Sequence, residues 1–288
     1  MSHRKFALNS LSGAGLLVAV LLAVLVRPAA ASPAGTKISF GSLDSKHPHQ
    51  LSGTLYLPEN PPGPVPALVL VHGTSGIDMR GEFYRASILG AGIAIFEVDF
   101  KTGIYSGAWT RPKMDTFPPM AFAALKELRK LPSIDPGRIG IMGFSMGGHV
   151  ALRTAMESNR RQWMGAEKGF VACATFYPVC KAFIKDLEES GSTLTGAPII
   201  VFYGTDDSYG DGTAVPELKH LLATKYGCQL ATVEYPGATH GFDRNAPAVH
   251  FFDPAAIGRR GHMAWNPEAA NDARSRVVAF LRENLVAR

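Results

Sequence analysis

From residue 67 onward two hydrophobic periods alternate along the chain. Short runs that are apolar at nearly every position occupy residues 67–71, 93–98, 139–144, 170–176, 199–203 and 232–235. Runs apolar on both faces suit strands buried inside a parallel sheet. Between them, apolar residues recur at helical spacing over 82–89, 119–131, 147–157, 215–226 and 268–286. The last segment carries Val277, Val278, Phe280, Leu281 and Leu285, the stripe of a helix that packs on one face. Strand and helix in alternation predict right-handed crossovers and a doubly wound, mostly parallel α/β sheet with helices on both faces. Ahead of it, residues 37–40 and 51–57 flank the polar turn region 44–49 and predict an antiparallel pair. The Pro-rich stretch 58–66 is too short for a domain linker, and there are no internal repeats. One domain over residues 32–288 is expected.

Two segments break the alternation. Residues 101–118 contain Trp109 and several turn formers, and residues 245–265 contain His250, Phe251, Phe252, Arg259, Arg260 and His262. Loops of this length in a compact domain are usually functional or mobile.

The N-terminus has a different pattern. Arg4 and Lys5 precede an apolar run from Ala14 to Val26, and Arg27-Pro28 ends it. Ala29-Ala30-Ala31 then supplies the small residues of a cleavage site before Ser32. The run is short against the roughly 20 residues of a membrane span. The expectation is a signal peptide over residues 1–31 and an exported protein; an uncleaved anchor is the alternative. No Cys follows the run to take a lipid, and no Arg-Arg pair precedes it.

Composition adds little until that segment is set aside. The 288 residues carry a formal charge of +5, which falls to +2 without Arg4, Lys5 and Arg27. No Lys/Arg cluster forms a stripe for nucleic acid. Three cysteines remain, Cys173, Cys180 and Cys228, in no metal-ligand spacing. Cys173 lies inside an apolar run and is expected in the core. Cys180 and Cys228 sit at element ends, so in an oxidising compartment a bond between them is the expected disulfide. Three reduced thiols are the alternative.

The chemistry concentrates in Gly143-Phe144-Ser145-Met146-Gly147-Gly148. It follows an apolar strand and opens a helix, the context of a nucleophile elbow. Such a turn strains the backbone at Ser145 and lifts its hydroxyl above the C-terminal edge of the sheet. A serine hydroxyl needs a base, and the base needs an orienting group. Both follow later strands: Asp206 and Asp207 after residues 199–203, and His240 in Pro236-Gly237-Ala238-Thr239-His240-Gly241-Phe242 after residues 232–235. Strand ends of an open α/β sheet gather at one edge, which would bring the three together. Of nine histidines, only His240 stands just past the last core strand. His149 reads as a packing histidine, and His250 and His262 as solvated loop residues. Adjacent Asp206 and Asp207 point opposite ways; Asp207 is preferred as the acid, with the other capping a turn. An oxyanion hole would take one backbone N–H from Met146 and another from the loop His72-Gly73-Thr74-Ser75-Gly76, at Thr74.

These residues resemble the dienelactone hydrolase family of α/β-hydrolases. The similarity runs through Val71-His72-Gly73, the stretch Ile134-Asp135-Pro136-Gly137-Arg138-Ile139-Gly140, the elbow, Phe176-Tyr177-Pro178, Gly204-Thr205-Asp206-Asp207 and the His240 motif. The resemblance implies the α/β-hydrolase fold and a cofactor-free acyl-transfer hydrolase with Ser145, Asp207 and His240 as its triad. The family's acid usually stands three residues after the strand-end glycine, here Gly204, which points to Asp207. Some members carry paired aspartates whose first member acts, which keeps Asp206 open. The enzymes that named the family use a cysteine nucleophile, so Ser145 implies another ester or lactone as the small-molecule substrate. The competing classes are an acyltransferase with the same triad, an amide- or peptide-cleaving relative, and a binding protein on a hydrolase scaffold. Only the last would be expected to lack a triad member.

Overall fold

The computed structural model describes residues 34–101 and 114–287. The signal peptide expected at 1–31 and Trp109 lie outside the described residues. Eight strands form one sheet: β1 (Thr36–Gly41), β2 (Gln50–Tyr56), β3 (Val65–Val71), β4 (Ala94–Asp99), β5 (Ile134–Phe144), β6 (Cys173–Phe176), β7 (Ile199–Gly204) and β8 (Ala231–Tyr235). Their order is β1-β2-β4-β3-β5-β6-β7-β8. β1 and β2 run antiparallel, β2 meets β4 antiparallel, and every pairing from β4 to β8 is parallel.

The central strands β3 and β7 show why their sequences are apolar at nearly every position. All seven residues of β3 and all six of β7 are buried, because helices cover both faces. Helices α1 (Met79–Gly90) and α7 (Pro267–Leu281) cover one face, meeting Leu68, Leu70, Met142 and Phe202 through Tyr84, Ile88, Ala273 and Val277. Helices α2 (Pro118–Arg129), α3 (Met146–Thr154), α5 (Cys180–Ser190) and α6 (Asp211–Lys225) supply core residues to the other, with α4 (Glu157–Met164) packed beside α2 and α3. The architecture is the doubly wound one expected. Along the predicted C-terminal stripe Val277, Leu281 and Leu285 are buried, and Val278 and Phe280 are partly so.

Several elements differ from the expectation. The single helix over 147–157 is two, because Met156 takes an extended backbone (φ −75°, ψ 129°) and caps α4. The strand expected over 170–176 is regular only at Cys173–Phe176. The long segment 245–265 holds a separate hairpin, β9 (Val249–Phe252) with β10 (Arg260–Met263). On it His250 and His262 face each other as strand partners, their rings stacked 4.2 Å apart.

The Cys180–Cys228 disulfide is not formed, and all three thiols are free. Cys180 begins α5, where its N–H donates to Asp211, the first residue of α6. Cys228 lies three residues past the opposite end of α6. A helix of that length spans about 22 Å, far beyond the reach of a disulfide. Cys173 is buried in its strand as expected.

Candidate active site

The elbow begins with close contact between β3, β5 and α3. A Cβ on Gly143 would lie 2.1 Å from the Gly147 carbonyl oxygen, and one on Gly147 would lie 2.3 Å from that of Val71. Only glycine lets α3 start this near the strands. Between them Ser145 is held at φ 52°, ψ −116°, a region that costs a side-chain-bearing residue free energy. Its N–H donates to Phe176 O (2.9 Å) and its carbonyl accepts from His149 N (2.9 Å), which fixes the turn from both sides. α3 starts at Met146, so that residue's N–H has no partner within the helix.

The structure brings Ser145, His240 and Asp207 together. His240 Nε2 lies 2.8 Å from Ser145 Oγ, and His240 Nδ1 lies 2.8 Å from Asp207 Oδ2. His240 and Asp207 are buried. The second carboxylate oxygen of Asp207 accepts from Tyr209 N at 2.7 Å. Asp206 is exposed, and among the described residues its carboxylate accepts only from the neighbouring Thr205 hydroxyl (3.1 Å). Hydroxyl, imidazole and carboxylate in this order can pass a proton from the hydroxyl to the ring while the acid steadies the cation formed.

Thr74 follows Gly73, whose carbonyl accepts from Gly76 N (3.0 Å) and from His72 Nδ1 (2.7 Å). His72 Nε2 in turn accepts from Phe100 N (3.1 Å), so one tautomer ties this loop to the end of β4. Among the described residues the Thr74 N–H has no acceptor. Thr74, Ser145 and Met146 together border a cavity of about 230 Å³. Met114, Phe117, Val179 and Ala182 make the rest of its wall largely apolar, with His149, Tyr209 and Asp253 as polar members.

Several of these residues carry no sequence signal. Tyr209 and Tyr177 pack on the His240 ring with centroids at 4.4 and 4.7 Å. Tyr177 and Tyr84 (2.8 Å) both donate to the buried Asp243, three residues past His240. Arg80, clamped by Asp78 at 2.6 Å, donates to Tyr177 Oη at 3.0 Å. Burial pushes the Asp243 carboxyl up, and Arg80 and the two tyrosines pull against that rise. The network pins the loop that bears His240 to α1. Asp211 lies under the acid loop, fully buried, and accepts from Cys180 N (2.7 Å) and Val179 N (3.0 Å). Burial and the nearby Asp207 charge push its carboxyl up to about 7. His149 packs as expected, its Nε2 2.9 Å from Asp186, but it also borders the cavity. His250 and His262 do not.

Sheet order, elbow and strand-end residues define an α/β-hydrolase. The family model for the dienelactone hydrolase family matches residues 51–285, and the chain belongs to that family. A 98-residue stretch is 36% identical to an acetylxylan esterase from Xylanibacter ruminicola, covering 33% of this chain and 20% of that one. The chain thus matches about one fifth of the length of that relative. Among solved structures it resembles esterase 2 of Thermogutta terrifontis phosphorylated by paraoxon, with a TM-score of 0.62 and 19% identity over 90% of this chain and 98% of the other. It also resembles a dienelactone hydrolase-like promiscuous phosphotriesterase from metagenomic libraries, with a TM-score of 0.60 and 18% identity over 87% and 99% of the two chains. At these identities the two structures speak for the fold. Among the described residues no helix is long and apolar enough to cross a membrane, and no group of three or more His, Cys, Asp or Glu could hold a metal ion.

Proposed function

We propose that the chain is a serine hydrolase that cleaves a small carboxylic ester or lactone through an acyl-enzyme. The observation that carries this reading is His240, which bridges Ser145 Oγ and Asp207 at 2.8 Å on each side. In the first half-reaction Ser145 Oγ attacks the ester carbonyl carbon as His240 Nε2 takes the hydroxyl proton. Asp207 holds the ring in the tautomer with Nδ1 protonated and steadies the imidazolium. The carbonyl oxygen becomes an oxyanion and accepts from the N–H groups of Met146 and Thr74. Collapse expels the alkoxide, which leaves with the proton from His240. Water then repeats the sequence on the acyl-Ser145 ester, releasing the acid and restoring the hydroxyl.

The cavity at Ser145 supports a short acyl or alcohol group. A segment built like residues 1–31 supports action outside the cytoplasm, and the mature protein would then begin at or near Ser32. The test of mechanism is Ser145→Ala, which is expected to abolish ester hydrolysis by on the order of 10⁶ in turnover while the fold persists. Hydrolysis near the wild-type rate by the purified variant would overturn it. The test of export is N-terminal sequencing of protein recovered from its native host; an intact Met1 form in the membrane fraction would overturn cleavage.

A further inference from the structure

Among the described residues that border the cavity beside Ser145, His149 carries a ring nitrogen that the mechanism does not use. The cavity's polar wall can be accounted for group by group. Ser145 Oγ and the Thr74 N–H belong to the reacting centre. The Tyr209 hydroxyl donates to Asp253 at 2.7 Å. His149 commits Nε2 to Asp186 at 2.9 Å. His149 Nδ1 has no protein partner among the described residues. The side chain is only about 4% exposed, yet Nδ1 is not sealed off: the one buried side-chain nitrogen or oxygen without a partner among the described residues is Arg153 Nε. Nδ1 therefore keeps some contact with open space, and His149 borders the cavity at Ser145.

The neighbours of His149 fix what that atom offers. Asp186 also faces Arg153 Nη1 at 3.5 Å, and its carboxyl is held below the usual range although burial opposes this, through its bonds to His149 and Arg153. An ionised carboxylate only accepts, so His149 Nε2 carries the proton and donates it. In the neutral ring Nδ1 then presents a lone pair. Phe183 packs edge-on against the ring (6.3 Å, 89°) and holds its plane. His149 stands four residues after Ser145, its N–H donates to the Ser145 carbonyl (2.9 Å), and both residues border the same cavity.

We propose that His149 Nδ1 accepts a hydrogen bond from a hydroxyl carried by the part of the ester that enters this cavity, so that the enzyme selects hydroxylated short esters over their alkyl equivalents. The apolar wall of Met114, Phe117, Val179 and Ala182 takes the carbon chain, and His149 reads one substituent on it. An alkyl ester would leave the acceptor buried against carbon, whereas a hydroxylated one pairs it. This inference rests on the serine-hydrolase reading and names the substrate class for the same site.

The test is a matched panel of butanoyl, β-hydroxybutanoyl and β-methoxybutanoyl esters of one alcohol, with a second trio carrying the same substituents on the alcohol side of an acetate. The methoxy group is polar and cannot donate. In the wild type, kcat/KM for the hydroxy ester is expected to exceed that of both partners by about 10-fold in one of the two trios. In His149→Phe, which keeps a ring against Phe183, the ratio should fall to near unity whatever the absolute rate. A ratio near unity in both wild-type trios, or a preference undiminished in His149→Phe, would overturn the proposal. Should that variant not fold, nitrogen NMR of the wild type decides: β-hydroxybutyrate should move the His149 Nδ1 resonance and butyrate should not, and equal shifts would overturn it. Only turnover that depends on Ser145 enters the ratios, so failure of the triad shows separately as hydrolysis surviving in Ser145→Ala.

Discussion

The ring of Tyr209 lies against that of His240, with centroids 4.4 Å apart and planes at 54°, while its N–H donates to Asp207 at 2.7 Å. One residue thus touches both partners of the hydroxyl at Ser145. Its own hydroxyl donates to Asp253, so the segment between β9 and β10 is tied to the same point. Replacing the ring should loosen His240 without removing any reacting group. Tyr209→Ala is expected to lower kcat by about 10- to 100-fold, the scale of a misplaced catalytic group, and Tyr209→Phe to keep most of it. A wild-type kcat in Tyr209→Ala under steady-state assay would contradict this role.

The two adjacent aspartates should separate cleanly. Asp207 is buried against His240 Nδ1, whereas Asp206 is exposed beside Thr205. Asp207→Asn is expected to cost about 10⁴ in kcat by favouring the wrong tautomer of His240. Asp206→Asn should stay within a few-fold of wild type. A loss confined to Asp206→Asn would reverse the assignment.

Much of this was legible along the chain because fully buried strands and an elbow leave local marks. β3 and β7 are buried at every position since both faces are covered, and Gly143 is required by a contact with Gly147, within a few residues of Ser145. Asp207 and His240 follow from strand ends meeting at one edge. What was not legible depends on distant partners. α5 starts where Val179 adopts a left-handed backbone (φ 57°) and Asp211, from α6, receives its first N–H groups; the apolar stripe Cys180, Phe183, Ile184 and Leu187 marks a helix, but that partner lies 31 residues on. α4 bears charged or polar residues at most positions, so it offers no stripe to read. Arg80, Tyr84, Tyr177 and Asp243 meet across more than 150 residues of chain, so no spacing connects them. The disulfide expectation failed for the same reason: the start of α5, with Cys180, packs at the first residue of α6, whereas Cys228 lies past the opposite end of α6.

Asp211 gives the protein a pH-dependent stability with a defined sign. Its carboxyl titrates near 3.8 when free and near about 7 in the fold, raised by burial and by Asp207. Between those values the folded state holds a proton that the unfolded chain releases. The contribution is fully present below the lower value and is lost as pH rises through the upper one. The urea midpoint should therefore fall as pH rises across this window, and more steeply in the wild type than in Asp211→Asn, which cannot titrate. The variant also loses one acceptor for the α5 N–H groups, a pH-independent cost of about 1–3 kcal/mol. Parallel pH profiles for the two proteins would contradict the assignment.

Packing at the elbow can be tested apart from chemistry. A methyl on Gly147 would meet the Val71 and His72 carbonyl oxygens at 2.3 and 2.6 Å, backbone atoms of a strand and of the loop that carries Thr74. Gly147→Ala should destabilise by about 3 kcal/mol or more, as overpacking against backbone does. Urea denaturation reads this directly, and a change within about 0.5 kcal/mol, the range of an inconsequential surface substitution, would show that α3 does not sit this close.

The central claim is that Ser145 Oγ forms a covalent bond to the substrate acyl group. The most direct measurement is mass spectrometry of the protein after reaction with a fluorophosphonate, whose phosphorus takes the place of the ester carbonyl carbon. A single adduct is expected, with fluoride lost. It should map to the peptide containing Ser145, accompany complete loss of ester hydrolysis, and be absent from Ser145→Ala. Full hydrolysis with no adduct, or an inactivating adduct on any other residue, would contradict the account.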